Sequence, residues 1–475
     1  MSSEKHYPFF RPLVAFRLKW LERHAFIHLS IAVLALGIGL ISHFTEHGSA
    51  ITLGAIAFAV LAEIMVLVGD VRALSKPRLD HIEVRDAFGD IFERIEEGAS
   101  ASEDQGRVLR QLVKQTPDNK IRAAAITYPQ TNAQIRERAL GEGTTPLVNE
   151  GDLDPHVVRN CSQFLREALD GKISQLASRH SPVFFNQQKI SLLSDLDGGV
   201  PNVVCVGQVS YVASTLTNDF CTKRLVRHDK HRGVEWPYFD LTPMFPVRTG
   251  DDGIERLMGL RESGLANHVG ISTLALIRHA DGQFRLQLHV QSARADKGAN
   301  LIVPSGSGSL DWSDHVKTGL SDFFDITSYG ATREFLEENR YLPEDGGHKA
   351  IASLIEKMGI ETLPIGYFRW LDHGGKPEFS HVTLVEDGAF NHVRNNLNVP
   401  EIEAAARTYS FKTIDELKAI CASLVGATTS TQVVCATRAD CSMPLLMNAL
   451  LLHEGLSQPD SKLVKKIAAF LAPRA

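Results

Sequence analysis

Residues 333–338 read Arg-Glu-Phe-Leu-Glu-Glu, and this short run is the part of the chain best able to do chemistry. On a helix Glu334, Glu337 and Glu338 fall at i, i+3 and i+4, so three carboxylates share one face. Such a cluster repels itself unless a cation sits on it, and hard divalent metals take oxygen ligands of this kind. A solvated acidic helix face is the plainer account of the spacing alone. The residues around the run shift the balance toward chemistry.

Upstream, Leu301-Ile302-Val303 suits a short strand, and Pro304-Ser305-Gly306-Ser307-Gly308-Ser309 follows as a Gly-rich loop. Small residues let backbone amides approach a phosphate closely, which makes Gly306, Gly308, Ser309 and the nearby Asp311 candidate ligand-binding positions. The acidic helix is expected to open near Thr327 or Ser328. Further back, 270–278 and 284–290 alternate as strands around the turn Asp281-Gly282. The order is therefore hairpin, strand, Gly-rich loop, acidic helix.

With those residues in order, the chain resembles the Nudix hydrolase family. Its signature is Gly, five residues, Glu, seven residues, then Arg-Glu-apolar-x-Glu-Glu-x-Gly-apolar. Arg333-Glu334-Phe335-Leu336-Glu337-Glu338-Asn339 fits the second half, and Tyr341 fits the final apolar place. Arg340 stands where the closing Gly belongs, and Asn339 is the expected substitute for a left-handed helix end. The first half aligns either as Gly319 with Asp325, or as Gly308 with Asp314 and an insertion after it. The second is preferred because 305–314 follows a strand directly. The resemblance implies Mg2+ or Mn2+ on Glu334, Glu337 and Glu338, with Arg333 holding helix and loop in register. It implies an α+β fold, a Nudix-like α/β/α sandwich with a mixed sheet. A further carboxylate would act as base, and Asp311 and Asp314 are the nearest candidates.

Downstream, 363–371 and 377–385 bracket the turn Asp372-His373-Gly374-Gly375-Lys376. A helix over 413–424 starts at Thr413, with Asp415 and Glu416 in its first turn, and an amphipathic stretch from Pro444 to Leu456 closes the sandwich. The Nudix-like domain is thus expected over 265–475.

At the other end, 25–44 and 51–68 are apolar, each close to the roughly 20 residues that cross a bilayer as helix. Only 45–50 separate them, so residues 1–72 read as a two-span transmembrane α-hairpin. Arg11, Arg17, Lys19 and Arg23 precede it and Arg72, Lys76 and Arg78 follow it, while the connecting loop has no Lys or Arg. Both termini and the body are then expected on the cytoplasmic side of the inner membrane. Glu63 lies inside the second span at a cost of about 2.5–3.5 kcal/mol, and reads either as a neutral packed side chain or as an oligomer or pore contact.

Residues 80–97 have helical spacing, with Ile82, Phe88, Ile91, Phe92 and Ile95 as one face, and 98–102 read as a linker. That makes 73–102 a juxtamembrane segment. Residues 103–264 form a helical or mixed region of open domain status, with a helix over 155–177, strand-like pieces in 183–226 and an irregular 227–252. Asn218-Asp219 reads as a turn. The six cysteines form no C-x-x-C pair and read as buried free thiols, and His228, His231, His279, His289 and His381 lack metal-ligand spacing. A net charge of −6 argues against nucleic acid.

Two functions follow. One is a membrane-anchored, metal-dependent hydrolase or binder of a nucleoside-diphosphate-linked ligand. The other, similar only in architecture to bacterial antiphage effectors, is a nucleotide sensor that forms homo-oligomers and disrupts the inner membrane, its Nudix fold non-catalytic.

Overall fold

Leu274 and Leu276 on one strand face Leu286 and Leu288 on the next, and their alternation with smaller or polar neighbours sets the register of the central hairpin. Gly282 closes its turn at φ 76°, a conformation that favours glycine. The computed structural model describes residues 80–101, 106–114, 119–139, 144–154, 157, 187–229, 234–279, 281–291, 300–339, 341–342, 347–386, 402–426, 428–429, 433–436 and 438–473. The apolar segments 25–44 and 51–68, Glu63 and nearly all of the helix expected over 155–177 lie outside them. Among the described residues no helix is long and apolar enough to cross a membrane.

The chain divides into two compact units, one of residues 1–83, 183–186 and 226–237, the other of all remaining residues. Elements run in chain order β1 (Asp80–Asp86), α1 (Phe88–Ala101), β2 (Arg107–Lys114), β3 (Asn119–Thr127), α2 (Pro129–Ala139), β4 (Leu147–Asp152), β5 (Gln188–Leu192) and β6 (Val204–Ser210). A buried helical run, α3 (Tyr211–Ser214) continued by a π turn over Thr215–Asp219, leads to β7 (Lys223–Asp229), β8 (Val234–Asp240), β9 (Val247–Thr249) and β10 (Glu255–Leu257). Then come β11 (Gly270–Arg278), β12 (Phe284–Gln291), β13 (Ile302–Val303), β14 (Gly306–Ser309), α4 (Trp312–Val316), α5 (Phe323–Glu338) and α6 (His348–Met358). The chain closes with β15 (Ile360–Trp370), β16 (Lys376–Val385), β17 (Ile402–Phe411), α7 (Ile414–Val425), β18 (Thr428–Thr429), β19 (Val433–Ala436), α8 (Met443–Leu456) and α9 (Lys462–Leu471).

Eleven described strands make one mixed sheet in the order β13-β12-β11-β16-β15-β3-β2-β19-β18, with β14 paired to β11 and β17 to β12. β11 runs parallel to β16 and antiparallel to β12 and β14. Ala275 and Ile277 of β11 pack with Phe335, Leu336, Ile351 and Met358 on α5 and α6. The intervening Leu274 and Leu276 join a core with α7, α8 and α9. Helices therefore cover both faces of the sheet, as the alternation requires. Thr413 caps α7 by accepting from the Glu416 amide, and α8 runs over almost the span expected for it.

Several expectations need correction. Residues 80–86 are strand, because His81-Ile82-Glu83-Val84 alternates with period two; the helix begins only at Phe88, behind Asp86, whose carboxylate accepts from the Phe88 amide. The supposed linker at 98–101 continues that helix. Half of 227–252 is strand in β7, β8 and β9 rather than irregular loop. Asn218-Asp219 is buried helical backbone, Asn218 donating to Asn267 Oδ1 at 3.0 Å.

Within the front region β2 and β3 join the large sheet, since Thr127, Ile126 and Ala125 of β3 pair with Phe368, Arg369 and Trp370 of β15. Asn132 on α2 locks this junction. Its Nδ2 donates to Thr127 Oγ1 and its Oδ1 accepts from the Tyr367 amide, each at 2.7 Å. Asn132→Leu leaves the Tyr367 amide without its partner in a fully buried place, so stability should fall by about 1–3 kcal/mol, read as a lower urea midpoint with unchanged slope.

Candidate active site

Asp322 starts α5 four or five residues earlier than expected, its carboxylate accepting from the Phe324 and Asp325 amides at 2.8 and 3.1 Å. The buried face of α5 carries Phe323, Phe324, Ile326, Thr327, Gly330, Ala331, Phe335 and Leu336. Gly330 lets the helix sit close to the sheet, since a Cβ there would lie 2.8 Å from Ile271 Cδ1. Arg333, Glu334, Glu337 and Glu338 fall where this face meets β14.

Arg333 organises the site. Only 8% of its side chain is exposed. Nε and Nη2 donate to the two oxygens of Asp314 at 2.9 and 3.0 Å, Nη1 donates to Glu334 at 2.9 Å and Glu337 at 3.1 Å, and Nη2 also donates to the Ser309 carbonyl at 3.1 Å. Asp311 lies 3.6 Å away. The expected role of Arg333, tying helix to the Gly-bearing segment, is thus given a geometry. Of the two alignments, the one through Gly308 and Asp314 brings its residues to the site. Gly319 sits in an open turn at φ 72° and Asp325 is exposed in the first turn of α5.

The segment expected as a phosphate-cradling loop is strand. Gly306–Ser309 pairs antiparallel with Gly270–Thr273. Its outer edge is taken by α5, where the Ser307 amide donates to Glu338 at 3.1 Å. The two glycines serve this close approach: a Cβ at 306 would lie 2.6 Å from the Phe335 backbone, and one at 308 would collide with the Glu334 carboxylate. Asp311 and Asp314 form a capping box on α4, the Asp311 amide donating to Asp314 at 2.9 Å. Both proposed bases are engaged with cations, Asp314 with Arg333 and Asp311 with Lys189.

Asn339 ends α5 without the left-handed backbone expected of it, at φ −88° and ψ 5°. Its side chain does the work instead, donating to the Ser305 carbonyl at 2.8 Å and accepting from Gln287 at 2.9 Å. Arg340 lies outside the described residues. Tyr341 is buried against Phe335, with ring centroids 6.0 Å apart.

The charges are uneven. Burial works against the Arg333 cation, but Asp314, Asp311, Glu334 and Glu337 outweigh it and push its pKa well above the usual value. Burial raises Glu334 to about 7, with Arg333 opposing and Glu337 and Asp311 adding to the rise. Glu337 is raised in the same direction by its setting, although 44% of its side chain is exposed. Among the described residues no three His, Cys, Asp or Glu side chains are drawn together as a metal cage, because Glu334 and Glu337 turn to Arg333 and Glu338 to Ser307. The donor set offers oxygen only, the kind of ligand a hard divalent cation takes.

Sequence reading missed a cavity of about 170 Å³ lined by Tyr211, His268, Trp370, Lys376, Glu378 and the Ser307–Ser309 strand. Lys376 was assigned to a turn, but it opens β16, and Lys-x-Glu on a strand puts both side chains on one face. Their charged ends meet at 2.5 Å, nearly fully buried. Glu378 lies over Gly270, where any Cβ would collide with its carboxylate. Gly308 and Gly270 thus face carboxylates on opposite sides of the paired strands β14 and β11.

No protein-family model and no curated protein matches the chain. Among solved structures it is similar to a Nudix hydrolase from Alicyclobacillus acidocaldarius, at 13% identity and a TM-score of 0.24, over 42% of this chain and 95% of that one. At that level the reading of the site rests on its own geometry.

A carboxylate whose folded pKa lies above its unfolded value binds extra protons when folded, so its contribution falls as pH rises between the two. In chelator, the thermal midpoint should drop between about pH 5 and pH 8 through Glu334, and Glu334→Gln should flatten that part of the profile. A variant profile parallel to the wild type's would refute the assignment.

Proposed function

We propose that this protein is a Nudix-type, metal-dependent hydrolase of a nucleoside-diphosphate-linked ligand. The observation that carries the reading is Arg333, which fixes two glutamates of an acidic helix and the Asp314 carboxylate against a strand that also lines a cavity of about 170 Å³. Glu334, Glu337 and Glu338 would hold Mg2+ or Mn2+. When bound, such an ion neutralises diphosphate charge, lowers the pKa of water and stabilises the leaving phosphate.

The chain's own groups supply the rest. Arg333 holds Glu334 and Glu337 beside each other on the helix, and these carboxylates would turn from it toward a bound ion. A further carboxylate would take a proton from the attacking water, with Asp311 and Asp314 the nearest candidates. The cavity would take the group joined to the diphosphate. Trp370, Tyr211 and His268 offer ring faces, and the Lys376–Glu378 pair offers both a donor and an acceptor. A planar polar group meets that combination. The segments 25–44 and 51–68 would hold this body at the inner membrane.

The test is a panel of nucleoside diphosphates joined to a sugar, a nucleoside or a second nucleotide, assayed with Mg2+ for release of mononucleotide or phosphate. Cleavage should stop in EDTA, and Glu337→Gln with Glu338→Gln should lower kcat by about 10²–10³-fold. Cleavage that survives both changes would defeat the proposal.

A further inference from the structure

Arg333 does not balance its surroundings alone, since one guanidinium faces Asp311, Asp314, Glu334 and Glu337. A second cation arrives from an element far upstream. Lys189 lies on β5, in the small sheet ordered β4-β6-β5. Its Nζ bonds Asp311 and also donates to Gln187 at 3.0 Å. The Lys189 and Asp311 side chains are 8% and 15% exposed, so this pair is largely desolvated. The main chains meet as well: Lys189 and Asp311 form an isolated antiparallel bridge, and the Ile190 amide donates to the Leu310 carbonyl at 3.1 Å. The backbone thus decides where the ammonium sits.

A buried ion pair is seldom the cheapest way to join two strands, because desolvation offsets much of its attraction. Here the backbone bonds already join them. What the ammonium adds is local to Asp311. That carboxylate stands 3.6 Å from Arg333, near enough to compete for the guanidinium if it had no other partner. Lys189 Nζ also lies 5.9 Å from the ring centroid of Tyr211, which lines the cavity. The residue stands between the acidic helix and the cavity.

We propose that Lys189 is a positioning residue of the acidic site. It holds Asp311 off Arg333, so that the guanidinium stays shared among Asp314, Glu334 and Glu337. The inference rests on the hydrolase reading above and adds to it a residue supplied by the β4-β6-β5 sheet.

The experiment uses the full chain and the compound of the panel that it cleaves fastest. Lys189→Met should lower kcat about tenfold or more while KM moves less than about threefold. Lys189→Arg should retain most of the activity. Lys189→Met combined with Asp311→Asn, which removes both charges, should recover to within about threefold of Asp311→Asn alone. A Lys189→Met protein with wild-type kcat, or a double variant no better than Lys189→Met, overturns the inference. If Lys189→Met does not fold, the double variant is compared with Asp311→Asn alone, and a kcat more than about tenfold below it overturns the inference. A wild-type protein that cleaves nothing in the panel removes the hydrolase reading and this inference together. Wild-type cleavage that depends on Glu337 and Glu338 but not on Lys189 removes this inference alone.

Discussion

The guanidinium of Arg333 is a planar fork held among carboxylates, and the local structure depends on that geometry. One edge of the fork takes both oxygens of Asp314, while the remaining nitrogen reaches Glu334 and Glu337. A lysine cannot reproduce this, because an ammonium is a point charge without a paired edge. Burying the cation costs several kcal/mol, and only hydrogen-bonded counter-charges offset that. The acidic residues are therefore structural partners of Arg333 as well as candidate ligands. Removing the arginine would take away the cation that pairs the fully buried Asp314 carboxylate.

β14 is the wall this interaction leans on. Four residues long, it pairs with β11 along one edge and meets α5 along the other. Gly306 and Gly308 keep it thin enough for the helix backbone and the Glu334 carboxylate to lie against it. Ser307 serves both sides, its amide bonded to Glu338 and its residue lining the cavity. The acidic cluster and the cavity are consequently one strand apart, which lets a diphosphate-linked ligand be considered for both.

The rest of the large sheet acts as support. β2, β3 and β19 extend it past β15, and the fully buried Asn132 and Asn448 fasten that extension and α8 to the central strands. Asn448 donates to Ser272 Oγ at 2.6 Å, beneath the strand that carries Gly270. Buried amides of this kind fix one register, since a slipped arrangement would leave them unsatisfied. Rigidity behind β11 is what holds the Gly270 and Gly308 positions to their tolerances.

Local pattern made much of this readable. Strand-like runs bracketing turn residues gave both central hairpins, helical spacing put three glutamates on one face, and Thr413 marked a helix start. Arg333 was singled out by the resemblance to the Nudix signature. Other features had no local sign. Ser-Gly-Ser-Gly reads as loop until β11 supplies a ladder for it, and Asn339 reads as a backbone substitute until Ser305 and Gln287 come within reach of its side chain. Lys189 and Asp311 stand 122 residues apart, and Lys376 and Glu378 look like a turn and its exit until both are buried. Sequence determined which residues share a face, because that follows from the repeat of the backbone. Only the tertiary structure decided which faces meet, because desolvation and charge pairing act between segments far apart along the chain.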